Sequence, residues 1–267
     1  MKHPQLHLNF LRRLALVALA ALVLQGCATG QAANTRDPWE PFNRSVYNFN
    51  EGLDEALIKP VATAYQTVIP SPVRNGVTNF FDNISDVWST VNNVLQLKPR
   101  ESVEMMLRVG VNTTLGLGGV LDVASEMRLN RHREDFGQTL GYWGIQTGPY
   151  VVLPVLGPST LRDSLALTVD GQGDLVTRIS DVPLRNSLYS LRAVDIRAGL
   201  LRAGQFLNDV ALDKYSFTRD AYLQRRRGQV REETSLVPER FDLPEEPALA
   251  TAAQGKDALP QVNKTSP

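Results

Sequence analysis

Leu24-Gln25-Gly26-Cys27 carries the most definite chemistry in this 267-residue chain. It reads as a lipobox, with small residues before a cleavage site and a thiol at the first mature position. That thiol can carry a diacylglycerol while the freed amine takes a further chain. Lys2, Arg12 and Arg13 supply a positive start upstream, and Leu14–Leu24 is an apolar run too short to span comfortably as a stop-transfer helix. Each buried methylene contributes about 0.8 kcal/mol, so several chains on one residue would hold the protein at a membrane. Cys27 is the one cysteine in the sequence, which makes it an anchor and leaves no thiol for disulfides, Cys-ligated metals or cysteine catalysis. Ala28 follows it; aspartate there generally retains bacterial lipoproteins in the inner membrane, so its absence favours the outer membrane.

The other reactive side chains form no catalytic set. His132 is the one histidine of the mature chain, and no G-x-S-x-G elbow presents a serine to it. Glu134 and Asp135 are adjacent and fall on different helical sides, which does not suit an acid and base pair. Asp170-Gly171-Gln172-Gly173-Asp174 lacks the twelve-residue calcium pattern with its terminal glutamate. The expectation is a protein that is not an enzyme and carries no cofactor or metal beyond covalent lipid on Cys27. Removing residues 1–26 leaves 25 basic against 28 acidic residues, a balance that points away from nucleic acid.

The elements behind these residues read as helix after helix. A helix is expected from Asp37, with Pro38 at its first position, carrying Phe42, Val46, Phe49, Leu53 and Leu57 on one face until Pro60 breaks it. Such a face suits either the core of a soluble bundle or a helix lying in a bilayer interface. Two further turns run from Val61 to Val68. A helix near Pro72 to Phe81 follows, then a separate one after Asp82-Asn83 with Ile84, Val87, Trp88, Val91, Val94 and Leu95 on one side and Asp86, Ser89, Asn92, Asn93 and Gln96 on or beside the other. Pro99 starts the next helix, Gly116–Gly119 marks a sharp reversal, and Asp122–Asp135 reads as a solvated connection.

Gly137 and Gly141 stand four apart, as do Gly144 and Gly148; they either admit a close neighbour or serve turns. Tyr150–Leu153 is the one short extended run, and Pro158-Ser159-Thr160 opens a helix. A long helix covers Pro183 to Leu212, with Arg185, Arg192 and Arg202 available to water, and a last one starts near Ser216. Arg225-Arg226-Arg227 suits a solvated face or an anionic membrane surface. Domain organisation follows: signal peptide 1–26, lipidated tether 27–36, helical domain 37–236, and a disordered tail 237–267 too rich in proline, alanine and charge to bury a core.

Several motifs in one order resemble the MlaA (VacJ) family of outer-membrane lipoproteins. These are Asp37-Pro38-x-Glu40-x-Phe42-Asn43-Arg44 with Tyr47-Asn48-Phe49-Asn50, Pro72-x-Arg74-Asn75 with Asn79-Phe80, and Asn92-x-x-Leu95-Gln96. Asn112 with Gly116 to Asp122, Phe136-Gly137-x-Thr139-Leu140-Gly141, Gly148-Pro149-Tyr150 and Arg162-Asp163 continue the series, while Ser164-Leu165-Ala166 departs from it. The resemblance implies an all-α protein, its amphipathic helices forming a ring around a polar channel, sunk into the inner leaflet of the outer membrane beside trimeric porins. It implies maintenance of lipid asymmetry: phospholipids that strayed into the outer leaflet pass through the channel to a soluble periplasmic lipid carrier. Under that reading Asn48, Asn92, Asn93 and Asn112 line the passage, Asn43, Arg44, Asn48 and Phe49 form its entrance or gate, and Phe136, Gly137 and Gly141 belong to its wall. The competing class is a structural lipoprotein scaffold that binds porins and moves nothing.

Overall fold

The computed structural model describes residues 36–234, so the signal peptide, Cys27 and the 237–267 tail lie outside the described residues. The fold is helical with one small hairpin. No helix among the described residues is long and apolar enough to cross a membrane.

Helix α1 spans Glu40–Leu53, later than the Asp37 start the sequence suggested. Asp37 does not cap it, because its buried carboxylate is engaged elsewhere: it accepts from Asn43 Nδ2 at 2.8 Å and from the Tyr215 hydroxyl at 2.5 Å. Pro60 does not break the chain here either. A π turn at Asp54–Ile58 leads straight into α2, Lys59–Val68, with the Lys59 N–H donating to the Asp54 carbonyl five residues back. The wider turn makes room for a proline that has no N–H and whose ring crowds the carbonyl of the preceding turn. Asp54 is also fixed from outside by the Arg197 guanidinium at 2.7 Å.

The two helices expected on either side of Asp82-Asn83 are one, α3, Ser71–Leu95. Asp and Asn interrupt helices when their side chains compete for local backbone groups. These two reach sideways instead: Asp82 takes Arg131 and Arg133, each at 2.6 Å, and Asn83 donates to Thr113 Oγ1 at 3.0 Å. Helix α4, Pro99–Thr114, packs alongside. The following glycine turn has Gly118 and Gly119 at positive φ, and a side chain on Gly119 would collide with Asn83.

The polarity of α3 is inverted relative to a soluble bundle. Asp86, Ser89, Asn92 and Asn93 are buried, whereas Val91, Val94 and Leu95 are exposed. The buried side bonds across elements: Thr139 Oγ1 donates to Asn92 Oδ1 at 2.8 Å, and Gln96 Nε2 donates to Thr139 Oγ1 at 3.0 Å. Buried polar groups are costly unless satisfied; these bonds satisfy part of the spine, while Asp86 Oδ1, Asn93 Oδ1 and Gln96 Oε1 are buried without a partner among the described residues.

Helix α5 is the single turn Val123–Glu126, capped by Asp122. The connection after it is strapped down, contrary to the solvated segment the charge pattern suggested. Arg131 reaches Asp86 at 3.1 Å, Lys98 reaches Glu134 at 3.1 Å, and Asn93 Nδ2 donates to the His132 carbonyl at 3.1 Å. Opposite charges from α3 and α4 draw the loop inward. Burial disfavours ionisation of Asp122, but donors from Ser125 and Asn112 and the charge of Arg108 prevail and hold its carboxyl down to about 2. A depressed folded pKa contributes stability that is fully present above the ordinary carboxylate value of about 4 and is lost as pH falls through about 2. The stability gap between wild type and Asp122→Asn, read from denaturant midpoints, is therefore expected to close between about pH 5 and pH 2; a pH-independent gap would contradict it.

Helix α6, Phe136–Tyr142, starts with a capping box between Asp135 and Gln138. Strands β1, Tyr150–Leu153, and β2, Gly157–Thr160, form an antiparallel hairpin pairing Tyr150 with Thr160 and Leu153 with Gly157. The segment expected to open a helix at Pro158 is thus the second strand. Helix α7, Leu161–Gly173, begins one residue later, and its N-cap Thr160 accepts from the Asp163 N–H. A 3₁₀ turn, Leu175–Arg178, leads into α8, Val182–Val210, and then α9, Lys214–Thr234.

Apolar packing is confined to modest clusters. Tyr150, Val152 and Tyr215 pack with Val46, Tyr47, Tyr222 and Leu223, and Ala62, Ala198 and Leu201 join α2 to α8.

Candidate functional site

A cavity of about 810 Å³ opens between α3, the 133–138 segment, the hairpin, α7, α8 and α9. Its volume lies in the range of pockets that enclose small ligands. Two chemistries share the wall. Leu153, Leu156, Leu167, Ile196 and Leu200 supply an aliphatic lining. Charged groups such as Asp82, Arg133, Glu134, Asp163 and Arg226 supply the second, and most of them are paired.

The densest network joins α6, α7 and α9. Arg226 reaches Asp163 through Nε at 2.9 Å and Asp135 through Nη1 at 2.6 Å. Asp163 also takes Arg162 at 2.9 Å and the Tyr222 hydroxyl at 3.0 Å. Burial alone would raise the Asp163 pKa, yet the two guanidinium groups hold it below the usual carboxylate range. The sequence suggested a solvated face for Arg225-Arg226-Arg227; Arg226 is buried instead because two carboxylates compensate its desolvation. Arg192, half-buried, pairs with Asp174 at 2.9 Å and donates to Ser85 Oγ at 2.7 Å. Asp170 accepts from Trp88 Nε1 at 2.7 Å and from the Phe136 N–H at 2.9 Å, and burial raises its pKa in spite of those bonds.

None of the sequence candidates Asn43, Arg44, Asn48, Phe49, Asn92, Asn112, Phe136, Gly137 and Gly141 is among the residues lining this cavity. Three of the asparagines are ties between elements. Asn43 is 0 % exposed; its amide donates to Asp37 and to the Tyr150 carbonyl at 3.1 Å and accepts from the Val152 N–H at 2.9 Å, so it fixes the hairpin to α1. Asn92 joins α3 to α6 through Thr139, and Asn112 accepts from the Ala124 N–H at 2.8 Å. These three amides are engaged within the protein and do not line this cavity. Arg44 ties α1 to α9 through Asp213 at 2.6 Å and lies over the Tyr215 ring at 4.4 Å. Asn48 and Phe49 are exposed on α1.

Gly137 and Gly141 allow charged side chains close. A methyl group on Gly137 would stand 2.6 Å from Asp163 Oδ1, and one on Gly141 2.5 Å from Arg162 Nη1. Phe136 contributes its backbone N–H to Asp170. These three therefore stand against the network that shapes the wall.

Wall residues that the sequence did not mark as passage candidates are Ser85, Asp195 and Gly199, together with Arg192, Arg225 and Arg226, which it marked only as surface arginines. Arg192, Asp195, Ile196 and Gly199 recur at helical spacing, a signal visible in the sequence once α8 is known to face a cavity.

Replacing Asn43 by alanine strands the buried Val152 N–H and removes partners from Asp37 and the Tyr150 carbonyl. The expected cost is about 2–3 kcal/mol in the denaturant midpoint. A change below about 0.5 kcal/mol would show that the hairpin is held by other contacts.

A family model described as MlaA lipoprotein matches residues 35–229. The chain is 38% identical over 221 residues to the intermembrane phospholipid transport system lipoprotein MlaA of Escherichia coli K12, covering 80% of this chain and 86% of that protein. The protein of the same name from Haemophilus influenzae is 31% identical over 237 residues, covering 85% and 94%. A solved structure described as the structural basis for maintenance of bacterial outer membrane lipid asymmetry superposes with a TM-score of 0.65 at 34% identity, covering 73% of this chain and 98% of that one.

Proposed function

Because this chain belongs to the MlaA lipoprotein family, we propose that its cavity is the path by which phospholipids leave the outer leaflet of the outer membrane and pass toward a soluble periplasmic carrier. The observation that carries the proposal is a wall made of both aliphatic and charged side chains. A phospholipid has a headgroup that is costly to move through hydrocarbon and tails that are costly to expose to water. A passage with Leu167, Ile196 and Leu200 beside Arg192 and Asp195 reduces both costs together.

The outer surface supports a membrane setting. Val91, Val94, Leu95, Val103, Met106 and Leu107 on α3 and α4 are all at least 40 % exposed, and adjoining exposed apolar side chains of this extent mark contact with another apolar phase. In our reading this side sits in the inner leaflet of the outer membrane, the helices form a ring around the cavity, acylated Cys27 anchors the chain, and a trimeric porin stands beside it. A scaffold that only binds porins gives no use to an amphipathic cavity.

The test is chemical detection of surface-exposed phospholipid in cells lacking the protein. The expected result is accumulation in the outer leaflet that the wild-type chain reverses. An unchanged outer leaflet would favour the scaffold.

A further inference from the structure

Most charges in the cavity wall are in ion pairs; Asp195, Asp170 and Arg225 are in none among the described residues. Asp195 on α8 is 8 % exposed. Its Oδ1 accepts from the Tyr65 hydroxyl at 3.0 Å and its Oδ2 from the Thr78 hydroxyl at 2.8 Å. Among the described residues no guanidinium or ammonium lies within ion-pair distance of it, although Asp82, Asp135 and Asp163 in the same wall each have one. Arg192, one turn before it, is committed to Asp174, and the charge of Arg74 is felt at Tyr65 without an ion pair to Asp195. Arg225 on α9 lines the same cavity, is exposed, and makes no ion pair among the described residues.

A nearly buried carboxylate held only by hydroxyls is incompletely compensated, and a cation entering the cavity would complete it. A guanidinium without a protein partner offers a fork to phosphate oxygens. The two groups stand on different helices in the wall of one cavity, and a ligand carrying both a phosphodiester and an ammonium offers each the opposite charge. We propose that the cavity selects phospholipids by headgroup, with Asp195 receiving the protonated primary amine of an ethanolamine-type headgroup and Arg225 receiving the phosphodiester. The inference rests on the cavity being the phospholipid path. Headgroups without an amine leave Asp195 without an ion pair, and Asp170, which makes none among the described residues, lines the same cavity.

The experiment incubates the purified full chain with mixed vesicles of phosphatidylethanolamine and phosphatidylglycerol and measures bound lipid by mass spectrometry. Wild type is expected to enrich the amine-bearing lipid about tenfold. N-acetylation of the ethanolamine removes the ammonium from the lipid side, needs no protein variant, and is expected to abolish the preference. Asp195→Asn, which removes the charge, keeps one acceptor and turns the other into an amide donor that a neighbouring hydroxyl can accept, is expected to bring the ratio near one. Arg225→Gln is expected to reduce uptake of both lipids and leave their ratio unchanged. Equal uptake of the two lipids by wild type, undiminished preference after N-acetylation, or parallel loss of both lipids in Asp195→Asn would each overturn the inference while leaving the transport reading in place. Absence of any bound phospholipid would overturn both.

Discussion

Gly199→Trp is expected to stop lipid movement while the protein stays folded and in place. Gly199 lies on α8 in the cavity wall, and a Cβ built there meets no heavy atom within 4 Å. Its backbone is helical, so replacing glycine removes part of the helix-interior penalty of about 0.5–1 kcal/mol that glycine carries relative to alanine. The indole then projects into the space where a headgroup would pass. Outer-leaflet phospholipid in cells carrying the variant should match that of cells lacking the chain. Gly110→Trp is the control: Gly110 on α4 also has open space at its Cβ but does not line the cavity. It is expected to behave as wild type. If both substitutions act alike, or neither acts, the cavity is not the path.

Asp163→Ala is expected to be the most destabilising single change in the cavity wall. It removes one carboxylate from the Arg162 and Arg226 guanidinium groups and from the Tyr222 hydroxyl, and both arginines are buried. Breaking a buried pair by removing one partner costs about 3–5 kcal/mol because the remaining charge is left without compensation. That is a large share of the roughly 5–15 kcal/mol that holds a domain together. Asp220→Ala provides the contrast. Its side chain is 67 % exposed and pairs with Arg219 at 2.9 Å, and such pairs contribute about 1 kcal/mol or less. A denaturant series that ranked the two losses equally would show that the Asp163 network carries no special weight.

The sequence made the helices legible, but not the side on which their neighbours lie. Periodicity separates Val91, Val94 and Leu95 from Asn92 and Asn93 on α3; it does not say which face meets protein. In a soluble bundle the valines would be inside. Here the amides are inside, where Asn92 accepts from Thr139 and Asn93 donates to the His132 carbonyl. The same limit explains Asp82-Asn83. Their types signal a break, yet distant partners Arg131, Arg133 and Thr113 take both side chains and release the backbone to continue as helix.

Single-residue compensation was also hidden. Arg225, Arg226 and Arg227 are identical in type, and only the arrival of Asp135 and Asp163 from other helices decides that the middle one is buried. The cavity wall draws on segments from Thr78 to Gln229, so no local window contains it. What the sequence did carry is the extended run Tyr150–Leu153, the amide-rich face of α3, and the Asn43 position, whose importance is that of a tie beneath the hairpin.

The most direct test of a lipid path through the cavity is photocross-linking in cells with a photoreactive residue in place of Leu167, which lines the cavity from α7. The account predicts cross-links to phospholipid at this position that disappear when Gly199→Trp is added, while cross-links from a photoreactive residue at the fully exposed Leu212 are unaffected by it. Cross-links at position 167 that persist with the tryptophan in place, or that never include phospholipid, would contradict it.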